Sequence, residues 1–239
     1  MRPILLITGA SADIGAACAK LAAPDYDLAL NYRSDKAGAE AVAREAETKG
    51  ARTLICQGDV AVPDDVARIF AEVDHHFKRL DALINNAGIV DAVATVADMD
   101  HARLKRMFDV NVIGAMMVAQ AAAARMTRQG SGSIVNMGSI AARLGSANEF
   151  VDYAASKAAI DAFTKGLANE IAATGVRVNA IRPGLIDTEI HAKAGVPDRA
   201  QKLSKNIPMQ RVGSAEEVAK ATLFLLSDAA SYITGTTLD

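Results

Sequence analysis

Tyr153 and Lys157 stand four residues apart in the run Tyr153-Ala-Ala-Ser-Lys157, a spacing that puts both side chains on one face of a helix. A free phenol ionises near pH ~10, too high for efficient proton transfer at neutral pH. A neighbouring ammonium favours the phenolate and lowers that value. The pair therefore reads as a tyrosine acid/base with an activating cation, although surface helices carry the same spacing by chance. Ser139 lies fourteen residues before Tyr153, just after the apolar run Ile134–Met137. A hydroxyl there can hold a substrate oxygen near the phenol; a loop or helix-capping serine would look the same. Serine-hydrolase chemistry is disfavoured. The string Gly138-Ser139-Ile140-Ala141 lacks the G-x-S-x-G elbow, and His191 is the only histidine after Ser139. His75, His76, His101 and His191 show no metal-ligand spacing with each other or with Cys18 and Cys56, so no metal site is expected.

A second set of residues suits a dinucleotide. Thr8-Gly9-Ala10-Ser11-Ala12-Asp13-Ile14-Gly15 follows an apolar run and opens a helical pattern. Glycines in such a turn let the backbone approach a pyrophosphate. The helix start adds free N–H groups and a positive dipole end. The second apolar run ends in Asn31-Tyr32-Arg33-Ser34, with no carboxylate to hold ribose hydroxyls. Arg33 can instead pair with a 2′-phosphate, with Ser34 as a further donor, so NADP(H) is expected in preference to NAD(H). Asp59-Val60 closes the third run, where a carboxylate can accept from an adenine amino group, and Asn85-Asn86-Ala87-Gly88 closes the fourth. Each could be turn chemistry alone. Their recurrence at strand ends matches the edge where open α/β sheets bind ligands.

Both sets must be positioned by the elements between them. Apolar runs at Ile4–Thr8, Leu28–Tyr32, Thr53–Cys56, Ala82–Asn85, Ser133–Met137, Arg177–Ile181 and near Tyr232–Leu238 lack strict alternation, as strands covered on both faces do. Helical patterns fall roughly at 14–23, 36–49, 64–77, 100–129, 153–173 and 215–227. Strand and helix in alternation predict a single doubly wound α/β domain over residues 1–239, with a parallel sheet and right-handed crossovers. Two Ala-rich helical segments, 109–126 and 153–173, suit either close packing on the sheet or a helix-to-helix subunit interface.

Bulk properties exclude other classes. The 239 residues carry a formal net charge of -2, with 4% aromatic residues and no Trp, so neither a nucleic-acid surface nor a base-stacking platform is expected. Two distant cysteines suggest no disulfide framework and a reducing compartment. The apolar stretch Ile4–Ile7 is too short for a signal-peptide core, and no run reaches the ~20 apolar residues of a membrane span. A cytoplasmic chain without membrane contact is the expectation.

Taken in order, Thr8-Gly9…Gly15, Asp59-Val60, Asn85-Asn86-Ala87-Gly88, Asn111, Ser139, Tyr153-x-x-x-Lys157 and Pro183-Gly184…Thr188 resemble the short-chain dehydrogenase/reductase family over essentially the whole chain. The segments 149–153 and 183–191 look like bacterial members of the glucose-dehydrogenase or 3-oxoacyl-carrier-protein-reductase type. The resemblance implies a Rossmann domain with seven parallel strands in the order 3-2-1-4-5-6-7. It implies Tyr153 as general acid/base and Ser139 as the group that orients the reacting oxygen. Lys157 would hold the nicotinamide ribose and lower the Tyr153 pKa, while Asn111 supports a proton relay to Lys157. Gly9, Ser11, Asp13, Ile14, Gly15, Asn31, Tyr32, Arg33, Ser34, Asp59, Val60, Asn86, Ala87 and Gly88 would line the dinucleotide. Pro183, Gly184, Ile186 and Thr188 would position the carboxamide. A substrate lid is expected over about 187–207, with Ile190 and His191, and with Val90, Arg143 and Asn148 also lining the pocket. The implied activity is hydride transfer between NADP(H) and a small alcohol or carbonyl, in a homotetramer or homodimer. A 3-oxoacyl-carrier-protein reductase would further need a basic docking patch, for which Arg103, Lys105, Arg106, Arg125 and Arg128 are candidates. A non-catalytic dinucleotide sensor would have no need of all four catalytic residues. The chain departs from the family at Asp13, where the middle glycine of the loop usually stands, and at Ala12, often Arg in NADP-preferring members. An inward Asp13 would repel a pyrophosphate.

Overall fold

The computed structural model describes residues 2–189, 195–196 and 199–239. Seven parallel strands form one sheet: β1 (Ile4–Ile7), β2 (Asp27–Tyr32), β3 (Thr53–Gln57), β4 (Ala82–Asn85), β5 (Gly132–Met137), β6 (Val176–Ile181) and β7 (Thr237–Leu238). Their spatial order is β3-β2-β1-β4-β5-β6-β7, as the resemblance implies. The crossovers are α1 (Asp13–Ala22), α2 (Lys36–Thr48), α3 (Pro63–Phe77), α4 (His101–Phe108), α5 (Ala115–Gln129), α6 (Ala141–Leu144), α7 (Val151–Ile171), α8 (Arg199–Leu203) and α9 (Ala215–Leu226).

The strands are apolar throughout because each side of the sheet carries its own core. Leu5, Ile7, Leu28, Leu30, Ile84, Val135 and Ile181 pack on Ala17, Val42, Val218 and Leu225 of α1, α2 and α9. The alternate residues Ile4, Leu6, Ala29, Leu83, Ile134 and Val178 pack on Ile69, Phe70, Val118, Met126 and Ala168 of α3, α5 and α7. Successive side chains point to opposite faces, and both faces are dry, so alternation with polar residues disappears.

Two sequence expectations change. The helical pattern at 100–129 is not one regular helix: residues Asp109–Gly114 form a π-helical turn between α4 and α5. That turn holds Asn111. Spacing rules for an α-helix cannot reveal it, because an i→i+5 turn breaks the 3.6 period only locally. The composite helix His101–Gln129 is also long and apolar enough to cross a membrane by composition, contrary to the expectation that no run is. However, 56% of its most apolar window is buried within the fold, as in a core helix.

Candidate active site

The chemistry-bearing residues collect along one edge, where the strands end. Thr8, Arg33, Asp59, Asn86, Ser139 and Pro183 follow β1, β2, β3, β4, β5 and β6 respectively. A parallel sheet turns all its carboxyl ends to that side, and its switch of winding opens a crevice there.

Thr8 is fully buried, and its hydroxyl accepts from the backbone N–H of Asn86 (2.9 Å) and of Ala87 (3.0 Å). The Asn86 amide returns bonds to the carbonyls of Thr8 (3.0 Å) and Gly9 (3.1 Å). These four bonds lock the glycine turn to the end of β4. A side chain at Gly15 would collide with the Gly9 carbonyl, so the first turn of α1 closes directly on that loop. No side chain caps the start of α1, so its leading N–H groups suit an anion. The cradle therefore fits a dinucleotide pyrophosphate. Asp13 sits in it with left-handed backbone (φ 50°), a conformation that glycine adopts freely and Asp only tolerates.

Several expected cofactor residues brace the site by their side chains. Asn31 is buried and donates to the carbonyls of Cys56 (3.2 Å) and Gly58 (3.1 Å), while accepting from Gly9 N–H (3.4 Å). Tyr32 and Val60 are buried, Val60 within the core on the α3 and α5 side of the sheet. The backbone of Ser11 lies close against Gly38 at the start of α2, and Ile14 packs on the core. Arg33 and Ser34 are exposed, and the Arg33 guanidinium lies 3.9 Å from the Asp59 carboxylate. Asp59 also accepts from Ala61 N–H (2.9 Å). Gly88 stands opposite the catalytic groups: a side chain there would come within 3.2 Å of Asn111 Oδ1 and 3.4 Å of Lys157 Nζ.

Tyr153 and Lys157 lie on α7, with Lys157 Nζ 5.7 Å from the centre of the Tyr153 ring. Lys157 is buried and donates to the Met137 carbonyl (2.8 Å). Burial pulls its ammonium down to about 8, partly opposed by the Asp161 carboxylate. Burial also holds the Tyr153 phenol above its usual range, with a hydrogen bond from Ser139 only partly offsetting it. The sequence expectation was a lowered phenol. In the protein alone, desolvation outweighs the ammonium, whose proton points to Met137. Asn111 grips the next strand connection: Oδ1 accepts from Ile89 N–H (2.8 Å), and Nδ2 donates to Ile89 O (2.9 Å) and Ser156 Oγ (3.2 Å). Its amide is thus a brace between the π-turn, the loop after β4 and α7. Thr8 and the π-turn are parts of the site that sequence reading gave no role. A threonine before a glycine turn was the only visible signal for the first.

The substrate side is divided. Pro183 accepts from Ile140 N–H (3.0 Å), tying the post-β6 loop to the Ser139 turn. Ile186 bridges to Gly213, while Gly184 is open and Thr188 partly buried. Val90 is partly buried beside the Asn86–Gly88 turn. Asn148 is exposed with left-handed backbone (φ 64°). Arg143 is exposed and pairs with the Asp239 carboxylate. Ile190 and His191 lie outside the described residues. At the far side of the expected lid, Arg199 pairs with Glu149 (2.6 Å) and covers the Phe150 ring at 5.4 Å. The basic residues considered for docking are largely engaged. Arg103 pairs with Asp152 (2.7 Å), Lys105 with Asp109 (2.5 Å), Arg106 with Asp91 (3.3 Å) and Arg125 with Asp74 (2.6 Å).

A phenol, a neighbouring hydroxyl, a buried ammonium and an anion cradle at one sheet edge fit a dinucleotide-dependent enzyme that moves a proton at an oxygen. A family model described as enoyl-(acyl carrier protein) reductase matches residues 9–239. The uncharacterised oxidoreductase YgfF of Escherichia coli K12 is 45% identical over 240 residues, covering 99% of this chain and 97% of that one. The 3-oxoacyl-[acyl-carrier-protein] reductase FabG of Staphylococcus epidermidis is 36% identical over 239 residues, covering 100% and 97%. NAD+-bound xylitol dehydrogenase superposes with a TM-score of 0.91 at 33% identity, covering 99% of this chain and 96% of that one. The chain belongs to the short-chain dehydrogenase/reductase family and is an oxidoreductase of the alcohol–carbonyl type that uses a nicotinamide cofactor.

A nicotinamide dinucleotide held at this edge would supply the hydride chemistry. The chain itself supplies alignment and proton control. Ser139 stands beside Tyr153, so a substrate oxygen held by the hydroxyl could exchange its proton with the phenol. A charged Lys157 would place its ammonium beside the phenol, and Asn111 braces the backbone around it.

Proposed function

We propose that this enzyme interconverts a small alcohol and its carbonyl compound (a sugar, polyol or simple ketone) with NADP(H) as the preferred partner. The observation that carries the cofactor choice is Arg33: an exposed guanidinium follows β2, where a ribose-binding carboxylate would favour NAD(H). Arg33 is only loosely engaged with Asp59, at 3.9 Å, so a 2′-phosphate can compete for it. The similarity to a xylitol dehydrogenase supports the polyol class, although that structure holds NAD+.

The deciding experiment is a parallel titration with NADPH and NADH, followed by nicotinamide fluorescence, on the wild type and on Arg33→Ala. Tighter NADPH binding that Arg33→Ala erases supports the reading. Equal or tighter NADH binding by the wild type rejects it. Turnover of a panel of small ketones and polyols then tests the substrate class.

The second reading, reduction of 3-oxoacyl groups on an acyl carrier protein, is favoured by the matching family model and by the FabG relative. Against it stand the four candidate docking cations that already have carboxylate partners. The reading extends to a homotetramer built through the Ala-rich helices. The exposed Leu104 and Ile113 on the α4 side support it, and light scattering at micromolar concentration tests it.

A further inference from the structure

Tyr153, Lys157 and Asp161 repeat every four residues along one face of α7. The first two are used by the chemistry; the third is an acidic residue turned into the fold. Asp161 Oδ2 accepts from Arg182 Nε at 2.9 Å, just beyond the end of β6. Asp161 Oδ1 is buried and has no partner, alone in this among the described residues. It faces Gly138, the residue before Ser139. A side chain on Gly138 would meet Asp161 Oδ1 at 3.2 Å and the Ile181 carbonyl at 3.0 Å. A residue kept only to hold Arg182 would leave no carboxylate oxygen orphaned, since that arrangement is costly in a dry interior.

We infer that Asp161 is a positioning residue, whose partly buried carboxylate supplies the counter-charge for the Lys157 ammonium while tying α7 to the end of β6 through Arg182. The inference rests on the reading that Lys157 acts as a cation beside the phenol. The surroundings leave Asp161 as the main source of that charge. On α7, Asp152 is closed in a pair with Arg103 of α4. In the π-turn, Asp109 pairs with Lys105, and Asn111 is neutral. Arg125 of α5 pairs with Asp74, and Arg177 of β6 donates to the Leu225 carbonyl. Arg182 divides its charge between Asp161 and Asp239, which also holds Arg143 of α6. Toward β5, Lys157 meets only the Met137 carbonyl. The upward push of Asp161 on the Lys157 ammonium agrees with this geometry.

The test reads Lys157 directly. Lysine Cε is labelled with carbon-13, the Lys157 signal is assigned by its loss in Lys157→Arg, and its titration is followed by NMR. Asp161→Asn should lower the Lys157 midpoint by about one pH unit, because a negative neighbour is removed. Arg182→Gln should raise it, because the same carboxylate loses its competing cation. A purely structural Asp161 would lower the melting temperature and leave the midpoint in place, and that result overturns the inference. If Asp161→Asn does not fold, the sign of the Arg182→Gln shift decides alone, and a fall or no change overturns the inference. Wild-type protein that binds neither NADPH nor NADH would defeat the proposed function, while the coupling would still be measured in the protein alone.

Discussion

Asp13 and Glu189 are joined although they lie 176 residues apart: the Asp13 carboxylate accepts from the Glu189 backbone N–H at 3.1 Å. The bond ties the start of α1 to the loop that follows β6, so the anion cradle and the expected lid share a carboxylate. Asp13→Asn keeps a side chain that tolerates left-handed backbone but removes the charge facing an incoming pyrophosphate. Two unit charges about 4 Å apart in a water-like medium interact by about 1 kcal/mol. The substitution should therefore tighten NADPH and NADH binding alike, by roughly fivefold. Fluorescence titration at two salt concentrations checks this. Unchanged affinity would mean that the carboxylate stays turned to Glu189 when the dinucleotide binds.

Tyr153→Phe removes the proton donor and keeps the ring. Turnover should fall about 10²–10⁴-fold, with dinucleotide affinity unchanged. Full activity in that variant would overturn the acid/base assignment and return the tyrosine to a packing role.

Lys157 makes pH act on stability in a definite direction. Its folded value of about 8 lies below its ordinary value of 10.5, so the fold prefers the neutral amine. The penalty for burying the ammonium is full below about pH 8 and is relieved as pH rises toward 10.5. Lys157→Met should therefore be more stable than the wild type at pH 7, by about 1–3 kcal/mol, with the gap closing by pH 10. Urea unfolding at several pH values measures it. A gap independent of pH would show that packing alone is responsible.

The same titration has a functional side. If the charged amine holds the nicotinamide ribose, dinucleotide binding should weaken as pH rises through about 8. Binding in Lys157→Arg should lose that dependence, since a guanidinium stays protonated.

Arg103 and Arg106 separate structural charge from docking charge. Asp152 has a fully buried side chain, and Arg103 is 12% exposed, whereas Arg106 is 58% exposed. Arg103→Ala should destabilise by about 2–4 kcal/mol because it strands a buried carboxylate. Arg106→Ala should change stability by under about 1 kcal/mol. Thermal melts decide. Loss of acyl-carrier-protein turnover in Arg106→Ala, with stability intact, would revive the docking surface.

The sequence by itself determined the fold class, the strand ends and the chemical set Ser139, Tyr153 and Lys157. These rest on local signals: apolar runs without alternation, glycines in a strand-to-helix turn, and a four-residue repeat on one helix. Tertiary structure decided which way the side chains work. Asn31 reads as a dinucleotide contact and Asn111 as part of a proton relay, yet their amides close on backbone groups of neighbouring strand ends. Asp161 carried no local signal, and Thr8 only its place before the glycine turn. Their meaning comes from Asn86, Gly138 and Arg182, which only the stacking of strands and helices brings within reach. The sign of the Tyr153 shift was likewise set by burial, a property of the packed chain that spacing along one helix does not contain.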